Sequence, residues 1–434
     1  MRIFKRLLSV FFVLYCVSLA TTMAGMETFG YGLAIFVFAY MALNWKNPSV
    51  HFPRLSPNFS VEWAMILMVL VAIVGAIASP HLPVKDRIDC VGQQRWMLLL
   101  YALTACLAVF SLDNPNSLPK AFWILFVCFA VAVLFGIFQS LFNVGFFFRP
   151  AYTRPPDTFG PLTIYRARGF FSNCMSFAYS LGQVACFAFA FALAADIPPK
   201  IRRLLYAFFI WFVIGICFTF TRGAWLGSIL AFVAMGLLWN KKVGIQIIVA
   251  IAALIAIGSI VSPGVRFRLK SIFHTHSDVS IEQRFQVWRV NLQMFKDHPL
   301  FGIGYGYNYY YTPEYNLKVL GHPGFNGNAH DNYLEVLAGS GIFGFVLWLF
   351  ICGYFFWRTW ILYRNSSNGS WAKAIGLGGL GAQIFFHFGG LTQTTFFDAK
   401  NVHVLMLGWA FVLAHDIANR RSANRATVIE GRPA

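Results

Sequence analysis

The chain has 434 residues, of which 58% are apolar and only 12% charged, with a mean hydropathy of +0.62. Soluble domains carry about 25% charged residues, so an ordinary soluble protein is excluded; disorder is excluded too, because it requires low hydrophobicity. The net charge of +18 needs no nucleic-acid partner, since Lys and Arg accumulate in the cytoplasmic loops of membrane proteins.

The fold class that follows is an all-α polytopic membrane protein. A basic start, Met1 to Arg6, precedes an apolar run, Leu7 to Ala24. This has the outline of a signal peptide, but no A-x-A-like cleavage site is present and a second apolar run follows at once, so an uncleaved first span is expected. Runs long enough to cross a hydrocarbon core of about 30 Å fall at 7–24, 28–44, 61–79, 95–111, 120–142, 173–195, 203–221, 223–239, 243–261, 340–363, 371–391 and 400–418. About twelve spans are expected, forming one integral membrane domain over 1–434.

The basic residues orient it. With the N-terminus inside, Arg2, Lys5, Arg6, Lys46, Arg54, Lys120, Lys200, Arg202, Arg203, Lys241, Lys242, Arg358, Arg364, Lys373 and Arg420, Arg421, Arg425, Arg432 are cytoplasmic, 18 of the 34. Of the other 16, seven lie in 262–339, a loop too long to count. The 18-to-9 balance that remains predicts both termini in the cytoplasm. Two outer segments exceed mere connectors, 143–172 and 262–339, the second lying between spans nine and ten. That long loop is expected to hold short helices at 281–297 and from His330 to Ala338. The eight cysteines show no metal-ligand spacing and read as buried hydrophobes without a disulfide framework; Cys90 and Cys174 are the two expected near an aqueous face.

Polar chemistry gathers on the outer side. Span centres are almost free of ionisable groups, with Glu62 and Arg95 at span ends and His387 and His403 reading as packing histidines. A coupled transporter would need more. Arg222, in Thr219-Phe220-Thr221-Arg222-Gly223-Ala224-Trp225, stands at the outer mouth between two apolar helices, where an arginine must snorkel or meet an anion. Its place at a helix N-terminus favours the anion. On a helix, Arg284 and Trp288 share a face, with Arg289 one position round. That segment is either a basic amphipathic helix on headgroups or a guanidinium fork for phosphate. Arg166 and Arg168, just before a span, are a weaker signal of the same kind. In Asn326 to Glu335, Asn328 is a candidate helix cap, and His330 near the helix start is a candidate general base. No clustered acids, HExxH, GxSxG or P-loop occur, so no metal site and no cofactor are expected, and arginines would do the neutralising.

Three motifs then combine in order: TRGAW at 221–225, RFQVW at 284–288 followed by HPLFGIGYG at 298–306, and AHDNYLEVLAGSGIFG at 329–344. With the twelve runs and the long outer loop, this set resembles the O-antigen ligase family of the bacterial O-antigen ligase and polymerase superfamily. By motif the resemblance covers about 160–350. It implies a GT-C-type glycosyltransferase fold in the bacterial inner membrane, with a periplasmic site and an undecaprenyl-pyrophosphate-linked O-antigen as donor. The ligase reading adds lipid A-core as acceptor, with membrane lipids as surroundings, in lipopolysaccharide biosynthesis. Under it, Arg222, Arg284, Arg168 and Arg289 would bind pyrophosphate and His330 would act as base in a metal-independent inverting displacement. Asp331 departs from the family pattern, where Asn or Ser is commoner. The alternatives are an O-antigen polymerase or related oligosaccharyltransferase and, in another class, a lipid-linked glycan flippase.

Overall fold

The computed structural model describes residues 2–43, 61–79, 82–111, 118–142, 157–159, 162–261, 263, 266 and 279–429. Lys46 and Arg54, most of 143–161, and 267–278 of the long outer loop lie outside them.

The described residues are helical almost throughout. The elements are α1 (Arg2–Ala20), α2 (Met23–Leu43), α3 (Val61–Ala78), the short α4 (Val84–Gly92), α5 (Trp96–Ser111), α6 (Leu118–Phe142), α7 (Cys174–Ala194), α8 (Pro199–Phe218), α9 (Arg222–Trp239) and α10 (Lys241–Val261). They continue with α11 (Val279–Asp297), α12 (Asn308–Leu320), α13 (Asn332–Asn365), α14 (Trp371–Gly389) and α15 (Ala399–Ile429). One departure from the all-α expectation is a small antiparallel hairpin, β1 (Asp157–Phe159) and β2 (Leu162–Ile164), with Thr158 opposite Thr163.

Each of the twelve expected spans coincides with a helix, but nine of the described helices are by themselves long and apolar enough to cross a membrane. The expected spans at 7–24, 95–111 and 371–391 correspond to α1, α5 and α14, which are shorter or less apolar. For α14 the reason is packing: it carries Lys373, Gln383, His387 and several glycines, and most of its length is buried among neighbouring helices. A helix surrounded by protein need not be apolar enough for lipid. The chain is a polytopic membrane protein.

At the centre is α7, 94% buried over its apolar window, whereas α10 is 6% buried. The sequence of α7 explains its place. Small residues (Ala178, Ser180, Gly182, Ala185) allow close helix approach, and Gly182 is packed so tightly on the Phe385 ring of α14 that a Cβ would collide with it. Its phenylalanines fill the gaps: Phe187 and Phe191 both pack on Phe122 of α6, which stacks on Phe411 of α15 at 4.0 Å. His403 and His387 are packing groups, with Nδ1 3.1 Å from the Tyr15 hydroxyl and 3.4 Å from that of Tyr333.

A second, smaller core caps one end of the bundle. Val290 and Met294 of α11 join Tyr307, Tyr311 and Tyr315 around α12, Ile303, Leu82, Cys90 of α4, Ala76 of α3 and Ala338 of α13. Full burial of a side chain such as Val290 or Met294 contributes about 1.5–3 kcal/mol, which anchors the outer segment to the bundle. The expectation that Cys90 reaches water is therefore corrected, because it is fully buried there; Cys174 is half-buried, and the exposed cysteine is Cys217.

Two glycine-rich motifs join this cap to the bundle by backbone contact. The Ile303 N–H donates to Ala338 O and the Gly304 N–H to Gly339 O, both at 3.1 Å; the Ile342 N–H donates to Pro299 O at 2.8 Å. At Gly341 (φ 63°, ψ −169°) the long α13 breaks, and a Cβ there would collide with the Leu300 backbone. The expected helix from His330 to Ala338 and the expected span at 340–363 are thus the two arms of one bent element.

Candidate active site

α7, α9, α13 and α15 begin, and α14 ends, at the end of the bundle that carries the cap, and the candidate side chains Arg222, Arg284 and His330 stand there. Arg222 is the first residue of α9, half-buried, with Thr221 as the N-cap residue. The turn before it is tight: Phe220 has φ +50°. Arg166 braces that turn, donating from Nε to Thr219 O at 2.7 Å and from Nη2 to the Thr221 hydroxyl at 2.9 Å. The Ala167 N–H, also donating, reaches Phe218 O at 2.9 Å. Gly223 has no room for a side chain, since a Cβ would strike both the Tyr179 and the Thr392 hydroxyls.

The histidine turn comes next. Trp288 of α11 donates its indole N–H to Ala329 O at 3.0 Å, which fixes α11 against this turn. Arg284 lies one helical turn before Trp288, half-buried, and its charge acts on both His330 and the Tyr179 hydroxyl; that of Arg166 also reaches Tyr179. His330 has φ +49°, a left-handed conformation that costs a non-glycine residue about 1–3 kcal/mol. The surroundings hold it there. Its N–H donates to Asn328 Oδ1 at 3.2 Å, and the Ala329 N–H donates to the buried Glu335 carboxylate at 2.6 Å. Glu335 is held in turn through Asn308, whose amide donates to Glu335 O and to Asn291 Oδ1.

Asp331, not Asn328, caps the helix: its Oδ1 accepts from the N–H groups of Tyr333 and Leu334 at 2.7 and 2.9 Å. The residue that departs from the family pattern is therefore a capping group. Burial raises its carboxyl against the lowering effect of those two N–H groups.

The remaining side of the site was not foreseen. The connection between α14 and α15 carries the adjacent polar pair Thr392 and Gln393. The Thr392 hydroxyl is 3.3 Å from that of Tyr179 and lies against Gly223; Gln393 Oε1 is 3.0 Å from His330 Nδ1. Two consecutive residues thus join the arginine motif to the histidine motif. For His330, burial pushes the imidazole below its ordinary value, the Gln393 bond opposes this, and the Arg284 charge adds to the lowering. Burial and the Arg284 charge thus both favour the neutral ring.

Two further phosphate ligands were expected, Arg289 and Arg168. Arg289 is exposed on the far side of α11, on a face shared with the exposed Phe285 and Leu292. Arg168 is half-buried at the turn leading into α7, where its N–H donates to Gln139 Oε1 at 3.4 Å. No group of three or more His, Cys, Asp or Glu suited to a metal ion occurs among the described residues.

Arginines and a histidine thus stand at one end of a multispan membrane bundle. Residues 207–349 match the family model described as O-antigen ligase. Enzymes of that family transfer glycans from lipid carriers. The match holds Arg222, Arg284 and His330 and leaves out Arg166, Tyr179, Thr392 and Gln393. No curated protein matches the chain.

Proposed function

We propose that the protein is an O-antigen ligase, which transfers a glycan from undecaprenyl pyrophosphate to a sugar hydroxyl of lipid A-core. In this reading all twelve apolar helices span the bacterial inner membrane in a GT-C-type bundle, both termini are cytoplasmic, and the site faces the periplasm. The observation that carries the reading is the adjacent pair Thr392 and Gln393: Gln393 Oε1 is 3.0 Å from His330 Nδ1, and the Thr392 hydroxyl lies against Tyr179 and against Gly223, the neighbour of Arg222. The pair sets a candidate base next to a candidate anion site.

The chemistry follows from charge. The acceptor oxygen attacks the anomeric carbon as the bond from that carbon to the pyrophosphate oxygen breaks. The pyrophosphate keeps the electron pair, and the acceptor proton passes to His330. Arg222 and Arg284 neutralise the departing charge, with Arg166 behind the Arg222 turn. One displacement inverts the anomeric centre. Preorganised donors of this kind are worth about 10²–10³ in turnover each. The arginines supply the neutralising charge, so no metal is needed.

The test is reconstitution with undecaprenyl-pyrophosphate-linked glycan and EDTA, with and without lipid A-core. Glycan on lipid A-core is the expected product. Longer glycan on the carrier, with lipid A-core untouched, would make the protein a polymerase; loss of all product in EDTA would refute the arginine mechanism. Arg222→Ala and Arg284→Ala should each lower turnover at least 10²-fold while still yielding folded protein.

A further inference from the structure

His330 needs one nitrogen free to accept a proton, and the imidazole offers two. Neither nearby carboxylate selects between them. Asp331 is committed to the N–H groups of Tyr333 and Leu334, and Glu335 to that of Ala329. Asp398, in the same connection as Gln393, is turned to the Ser176 hydroxyl of α7. The charged group bearing on the ring from α11 is Arg284. What faces Nδ1 is the Gln393 side-chain oxygen at 3.0 Å. An amide oxygen only accepts, so with that oxygen turned to the ring the neutral imidazole carries its hydrogen on Nδ1 and keeps the lone pair on Nε2.

The loop carrying Gln393 is tied to the histidine turn by one residue. Asn332 donates its backbone N–H to Gly390 O at 2.7 Å and its side-chain N–H to the Thr395 hydroxyl at 2.9 Å, while its Oδ1 accepts from the Phe396 N–H at 2.8 Å. The Thr395 N–H closes the loop on Gln393 O at 2.8 Å. Asn332 is two residues from His330, so ring and amide are held in a common frame.

We propose that Gln393 is the positioning residue that holds His330 in its Nδ1–H tautomer and so directs the basic Nε2 toward the acceptor. The inference rests on the reading of His330 as the general base. A base oriented by a third group is a recurrent arrangement, and the partner here is neutral. A carboxylate would favour the imidazolium form through its full charge; the amide, which carries none, orients the ring while raising its pKa only against the larger lowering by burial.

The first test does not depend on activity. Nitrogen NMR of the full protein labelled with ¹⁵N-histidine, with the His330 signals assigned by their loss in His330→Gln, reads the tautomer. Protonated Nδ1 and bare Nε2 are expected, with a mixed or reversed population in Gln393→Ala. A wild-type His330 protonated on Nε2 would overturn the proposal whatever the protein transfers.

The second test is the pH profile of transfer. Gln393→Glu is nearly isosteric and keeps an acceptor, but its charge should move the acidic limb to higher pH. Gln393→Ala should lower kcat by roughly ten- to a hundredfold, the range known for losing the orienting partner of a metal-bound histidine, with the donor KM unchanged. An acidic limb in Gln393→Glu at the wild-type position would also overturn the proposal, and it remains readable should Gln393→Ala fail to fold. Full transfer by His330→Ala would instead refute the base reading and leave the tautomer result standing.

Discussion

His330 and Phe220 are the two non-glycine residues with positive φ among those described, and they stand in the two motifs that supply the site. Such strain persists only where the surroundings enforce it, and at His330 the enforcing groups are Asn328 and Glu335. Glu335→Ala strands the Ala329 N–H, a loss of about 1–3 kcal/mol. It should lower the unfolding temperature in detergent and reduce transfer more than Glu335→Gln, which keeps an acceptor. The depressed pKa of His330 gives a pH prediction with a definite sign. The ring must be neutral to take a proton, so transfer is lost as pH falls through that value. The acidic limb should lie below the ordinary histidine value of about 6.5; a limb at pH 7 or above would contradict the burial argument. Gly223→Ala should abolish transfer through collision with Tyr179 and Thr392, although nothing charged is removed.

Among the elements, α13 shows how one glycine divides a helix between two tasks. Its first arm carries the Asp331 cap and Glu335, and its second crosses the bundle beyond Gly341. That residue occupies a backbone region essentially restricted to glycine and abuts the Leu300 backbone. Gly341→Ala should therefore yield protein that aggregates in size-exclusion chromatography, whereas Asp331→Ala, which loses a cap worth about 1 kcal/mol, should remain monodisperse with a lower unfolding temperature. Apolar runs made the long helices legible, because backbone groups in lipid must bond within their own helix. The short outer helices were less so. The 281–297 expectation corresponds to α11, while α12 was hidden by Pro313 and by the Gly and Asn around it, and α4 by its brevity. Their stability comes from the second core, which is tertiary.

For the whole molecule, charge sets the expected orientation and the bundle sets the site. The 18-to-9 balance of basic residues predicts that a fluorescent reporter fused after Ala434 lights up in the cytoplasm. A dark fusion beside an active periplasmic phosphatase fusion at the same place would reverse the proposed topology. The sequence by itself determined that the chain is a multispan helical protein, because composition and run length are local properties. It also singled out Arg222, Arg284 and His330, because each stands in an ordered motif where an apolar context makes its charge or ring costly. Tertiary structure decided the rest. It braced the Arg222 turn with Arg166, exposed Arg289, and seated Thr392 against Tyr179, 213 positions away in the chain. It also set Gln393 against His330, 63 positions away. Residues that meet only where the ends of separate helices converge share no period or spacing, so their partnership exists in the packing alone.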